Sequence, residues 1–116
     1  MILTAVVTRG VVEADGASRG NPGPAAYGAL VRDADTGEVL AEDAQTLGVT
    51  TNNVAEYSGL VAGLALAAAH APGAEVEVRM DSKLVVEQMS GNWKIKNADL
   101  AVLADKARAA HPGPVR

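Results

Sequence analysis

The chain has 116 residues, a net charge of −4 and no cysteine, which excludes disulfides, thiolate metal sites and a generally basic nucleic-acid coat. A single domain of this length buries roughly two thirds of its unfolded surface. With 48% hydrophobic residues but one Trp, two Tyr and no Phe, that core must be aliphatic, Ala-rich and thin, with helices lying close to a sheet. Any metal must be held by oxygen ligands or by His70 and His111, which points to hard divalent cations. No apolar run is long enough to span a membrane. Met1 to Val7 is hydrophobic but short and lacks the charged start of a signal peptide, so a cytoplasmic location is expected.

Ile2 to Thr8 is rich in β-formers and reads either as an extension of the first strand or as a leader over residues 1–9. Val11 to Asp15 is a short apolar run ending in an acid, the pattern of a strand reaching solvent. The loop that follows contains Gly16, Ser18, Gly20, Asn21, Pro22, Gly23 and Pro24, the composition of a tight reversal. Gly16, Gly20 and Gly23 leave the backbone bare, so a polymeric ligand can be expected to approach it. Ala25 to Ala34 reads as a second strand, Asp35-Thr36-Gly37 as a turn, and Glu38 to Leu47 as a third strand of an antiparallel meander.

Thr50-Thr51-Asn52-Asn53 offers N-cap chemistry for a helix. Val54, Tyr57, Leu60, Val61, Leu64 and Ala68 then recur at three- and four-residue spacing through about Ala69, and Pro72-Gly73 stops it. Glu75 to Met80 alternates as a fourth strand. Asp81-Ser82 caps a short helix to about Met89, and Trp93 to Asn97 is a loop. A last helix runs from about Ala98 to Ala110 and is broken by Pro112-Gly113-Pro114. The order β-β-β-α-β-α-α defines an α/β domain, expected over 10–116, with a mixed sheet. Its fourth strand lies parallel to the first or third, because the long helix is a crossover.

Two strands therefore end in acid, at Asp15 and at Asp81. As parallel neighbours about 4.8 Å apart they would present both carboxylates at one edge. Glu56, on the first turns of the long helix, points across the same edge. Three convergent carboxylates repel one another and make sense chiefly as a cage for divalent cations, which can promote in-line phosphoryl displacement. The plainer roles of these residues are a turn for Asp15, a helix-dipole contact for Glu56 and a cap for Asp81. Glu42, Asp43, Glu75 and Glu77 read as solvated surface. His70 and His111 read as surface or helix-end residues.

The run Asp15-Gly16-Ala17-Ser18-Arg19-Gly20-Asn21-Pro22-Gly23-Pro24, then Thr51-Asn52-Asn53-Val54-Ala55-Glu56-Tyr57, then Asp81-Ser82-Lys83-Leu84-Val85 resembles the three motifs of the type 1 ribonucleases H, in the family's order. The resemblance implies a ribonuclease H-like fold and hydrolysis of the RNA strand of RNA–DNA hybrids to 5′-phosphate products. It implies two Mg²⁺ ions, with Mn²⁺ as substitute, held by Asp15, Glu56 and Asp81. It further implies substrate contacts from Gly20, Asn21, Asn52 and Asn53, with Gly16 and Ser18 beside them. Such small loops and amides suit the 2′-hydroxyls displayed by a hybrid's shallow minor groove. One of Asn52 and Asn53 is also expected to cap the helix. Trp93, Lys94 and Lys96 combine an aromatic plane with two cations, suited to a DNA sugar–phosphate backbone; the plainer reading is a core Trp with solvated lysines.

The family continues with a fifth strand and a final helix carrying a fourth carboxylate. This sequence stops at Val115-Arg116, where that strand would begin, and Asp99 and Asp105 are poor substitutes. Weak or absent cleavage is therefore expected of the 116-residue chain, with marginal stability or association through an exposed sheet edge. It is also similar to the N-terminal part of two-domain actinobacterial proteins whose second domain is a phosphatase. The competing readings are a non-catalytic module binding hybrid or duplex RNA, and a structural domain with a defective site.

Overall fold

The computed structural model describes residues 7–110. The expectations for residues 1–6, His111 and the strand start at Val115-Arg116 lie outside them. Strand β1 spans Arg9–Ser18, β2 Gly23–Asp33 and β3 Val39–Thr50; helix α1 spans Asn52–His70, β4 Glu75–Arg79, α2 Lys83–Met89 and α3 Ala98–Ala110. The sheet order is β3-β2-β1-β4. The meander is antiparallel and β4 is parallel to β1, as the crossover requires. Each strand of the meander runs further than its apolar residues suggested, because ladder pairing continues into the polar ends at Ser18–Ala25 and Gly23–Thr50.

Helix α1 lies on one face of this sheet, against β1 and β2, and α3 packs against α1. The closeness expected of an Ala-rich core is realised by glycines. A Cβ added to Gly16 would lie 2.3 Å from the carbonyl carbon and oxygen of Ala55, and one on Gly63 would lie 2.4 Å from Val12 Cγ1. Gly59 likewise meets the Asp15 carbonyl oxygen, 3.2 Å from its Cβ position. Val12, Val31, Leu64 and Val76 are fully buried between the layers, each contributing about 1.5–3 kcal/mol of hydrophobic stabilisation.

The caps follow the sequence with one correction. Thr51, not Asn52 or Asn53, caps α1, its Oγ1 accepting from the Val54 amide at 3.2 Å. Ser82 rather than Asp81 caps α2, accepting from the Val85 amide. Asp81 is thereby left free of a structural duty at that helix. One polar pair lies inside the core. Tyr57 Oη donates to Gln88 Oε1 at 2.7 Å, and Gln88 Nε2 donates to the Lys94 carbonyl at 3.3 Å. This pair ties α1 to α2 and anchors the loop that carries Trp93.

Candidate active site

Alternation along β1 decides which residues can meet. Val12, Ala14 and Gly16 face α1, so Glu13 and Asp15 emerge on the opposite face of the sheet. The parallel register pairs Glu13 with Arg79; two residues further along each chain come Asp15 and Asp81. Both carboxylates line one open cleft of about 760 Å³ on that face, together with Glu13, Glu42 and Arg79. Gly28 stands directly opposite Asp15 on β2, and a Cβ there would meet nothing within 4 Å. The bare residue keeps the space beside Asp15 open. Asp15 and Asp81 are exposed.

Glu56 is held differently from the expectation of three acids pointing into one cage. It does not line the Asp15–Asp81 cleft, and among the described residues no three acids or histidines are grouped closely enough to hold one metal ion. Its backbone nitrogen lies against Gly16, 2.5 Å from where a Cβ would stand. Glu56 is thus anchored one residue from Asp15, on the helix side of β1. Its carboxylate is oriented by Asn52, whose Nδ2 donates to Glu56 Oε1 at 2.9 Å.

Asn52 organises this end of the molecule. Its Oδ1 accepts from the Ser18 amide at 3.2 Å, and its own backbone N–H donates to Asn21 Oδ1 at 3.1 Å. The amide orientation is fixed by chemistry, since a backbone N–H faces the oxygen and a carboxylate faces the nitrogen. Ser18 Oγ donates to the Gly20 carbonyl at 2.6 Å, closing the loop on itself. The Asn21 side-chain N–H groups and the Asn53 side chain make no hydrogen bond to any described residue. Gly20 is exposed with φ +80. Gly16 and Gly23 are buried, and a Cβ on Gly23 would collide with the Arg19 carbonyl. At these two positions the bare backbone serves the chain's own packing, not an approaching polymer.

Trp93 is 44% exposed, so it is not a core residue. The Lys83 ammonium stands 5.9 Å from its ring centroid, within the range of a cation–π contact. Lys94 and Lys96 are exposed beside it, and neither forms an ion pair with a described residue. His70 is exposed in the last turn of α1, the helix-end position expected of it. Asp105 pairs with Arg108 at 3.5 Å on α3, which packs against α1 on the face away from the cleft.

Two features escaped the sequence reading. Arg79 lines the acidic cleft; it ends β4 opposite Glu13, and the signal was its place two residues before Asp81. Asp43 is not idle surface, because Tyr27 Oη donates to Asp43 Oδ2 at 2.8 Å on the α1 side of the sheet. Burial, and then this hydrogen bond, push the Tyr27 phenol up to about 12, while the same bond holds the Asp43 carboxyl below its ordinary value. The folded chain therefore keeps a proton on Tyr27 that the unfolded chain releases near 10, and the stability this confers is lost as pH rises between about 10 and about 12. In Asp43→Asn the Tyr27 ring signals should titrate at lower pH than in the parent but still above the ordinary tyrosine value, since burial remains. An unchanged titration midpoint would show that Asp43 contributes nothing.

Comparison with known proteins fits this geometry. The family described as reverse transcriptase-like matches residues 13–112. The bifunctional protein Rv2228c of Mycobacterium tuberculosis is 61% identical over 99 residues, covering 85% of this chain and 27% of that protein. This chain thus spans about a quarter of that relative's length. The structure of the N-terminal RNase H domain of Rv2228c, fused to maltose-binding protein, superimposes with a TM-score of 0.84 at 60% identity, over 89% of this chain and 78% of that one. Ribonuclease HI of Halobacterium salinarum is 47% identical over 81% of this chain and 46% of its own length. LC11-RNase H1, solved in complex with an RNA/DNA hybrid, aligns with a TM-score of 0.78 at 38% identity, covering 91% of this chain and 81% of that chain. With the meander, the crossover helix and the cleft shared by Asp15 and Asp81 all in place, the chain belongs to the ribonuclease H family.

Proposed function

We propose that this domain hydrolyses the RNA strand of RNA–DNA hybrids with Mg²⁺ or Mn²⁺. The observation that carries the reading is the meeting of Asp15 and Asp81, from adjacent parallel strands, in one open cleft. Support comes from the relatives named ribonuclease HI and from the hybrid bound to LC11-RNase H1. The donor set is wholly oxygen, which suits a hard divalent cation. Asp15 and Asp81 would hold it, with Glu56 contributing from the α1 side. Metal bound there would supply charge stabilisation to the phosphoryl oxygens of an in-line displacement.

The protein's own part is positioning. Asn52 spends its amide on Ser18 and Glu56, so its main task is to hold the acid and the loop in register. The Asn21 N–H groups and the Asn53 side chain remain available for 2′-hydroxyls, with exposed Gly20 allowing close approach. Trp93, Lys94 and Lys96 offer a stacking surface and two unpaired cations for the DNA strand.

Substrate choice tests this division of labour. Asn53→Ala should weaken binding of an RNA–DNA hybrid about three- to tenfold, the worth of one hydrogen bond. Binding of a DNA duplex of the same sequence at the same salt should be unchanged, because DNA offers no 2′-hydroxyl. Equal loss on both duplexes, or equal affinity of the parent for both, would reject sugar recognition.

A further inference from the structure

Arg79 is the one basic residue among the described residues lining the cleft of Asp15, Asp81, Glu13 and Glu42. A cleft with that surplus of carboxylates repels a phosphodiester unless cations answer them. Metal held at Asp15 and Asp81 would supply some of that answer, and Arg79 is the fixed positive charge beside them. Its partner within the protein is weak. Arg79 Nη2 stands 3.2 Å from Glu77 Oε2, but the two side chains are 60% and 50% exposed. Exposed pairs of this kind contribute little and are readily exchanged. Glu13, across the strand pair from Arg79, is already engaged by Arg32 Nε at 3.3 Å. A guanidinium so loosely held is free to turn toward a ligand, and its planar fork matches two phosphoryl oxygens.

We propose that Arg79 is a positioning residue for the phosphodiester backbone in this cleft, exchanging Glu77 for substrate when nucleic acid binds. The inference rests on the proposed hydrolysis of hybrids and deepens it. It also carries a consequence of opposite sign. The same charge that attracts phosphate opposes the entry of a divalent cation beside it. Removing it should therefore weaken hybrid binding and strengthen metal binding.

The test compares the parent chain with Arg79→Gln, Arg79→Lys and Glu77→Gln. Hybrid binding is followed by fluorescence anisotropy over a range of salt, and Mg²⁺ binding without nucleic acid by amide chemical shifts. Arg79→Gln should lower hybrid affinity about fivefold and reduce the salt slope by about one counterion, while binding Mg²⁺ severalfold more tightly. Arg79→Lys should restore the salt slope and only part of the affinity, since an ammonium keeps the charge and loses the fork. Glu77→Gln should leave hybrid binding equal or tighter.

Weakening of both ligands by Arg79→Gln would mark a merely structural role at the end of β4 and overturn the proposal. So would hybrid binding equal to that of a parent that does prefer hybrid over DNA. A parent that shows no such preference overturns the broader reading and this proposal with it.

Discussion

Asp15→Asn and Asp81→Asn should each lower metal-dependent hybrid cleavage at least a hundredfold, about 2.7 kcal/mol of barrier, while leaving the fold intact. Both side chains are exposed and neither caps a helix nor forms an ion pair with a described residue, so their loss removes a function without removing a support. The loss should appear first in binding. Amide shifts around β1 and β4 that respond to Mg²⁺ or Mn²⁺ in the parent should barely respond in either variant. Asp43→Asn is the matching control, because Asp43 borders the cleft while its carboxylate accepts from Tyr27 on the α1 side of the sheet. It should retain cleavage within a few-fold of the parent. If Asp15→Asn and Asp81→Asn titrate with metal as the parent does, the two acids do not form a site.

The second large effect is structural. Gly16→Ala should destabilise the domain by about 2 kcal/mol or more, lowering the melting temperature by roughly 10 °C for a chain of this size. The added methyl would stand 2.3 Å from the Ala55 carbonyl and 2.5 Å from the Glu56 nitrogen. These are backbone atoms, so relief comes only by moving α1 off β1, and Glu56 moves with it. Gly28→Ala provides the contrast on the neighbouring strand. Its methyl meets nothing within 4 Å, so stability should be unchanged or slightly raised as the unfolded chain loses freedom. A Gly16→Ala variant that melts with the parent would mean that the close approach is not needed to hold the layers together.

Much of this was legible from local chemistry. Val11 to Asp15, the periodic run from Val54 to Leu64 and the Pro72-Gly73 stop each announce their element, and the crossover leaves β4 parallel to the first or third strand, of which the structure takes β1. The two acids do share a cleft, but not because both strands end in acid: β1 runs on past Asp15 to Ser18, and Asp81 follows the last residue of β4. What was not legible depends on three-dimensional parity. Glu56 and Asp15 are near neighbours through Gly16, yet strand alternation sends Asp15 to the face away from α1. No spacing in the sequence reports that separation. Choosing among Thr51, Asn52 and Asn53 as the cap also needs the tertiary partners, since Asn52 is drawn to Ser18 and Glu56 and leaves the capping to Thr51. For Trp93 the sequence left two readings open, a core residue and an exposed plane, and its exposure removes the first.

The alternation along β1 has one more consequence. Gly16 must be small for the helix, Asp15 must be acidic for the cleft, and the two are adjacent in the chain. A single-residue insertion or deletion within β1 would exchange their faces, driving a carboxylate under Ala55 and a hydrogen atom into the position of the acid. Scaffold and chemistry are therefore locked to one register.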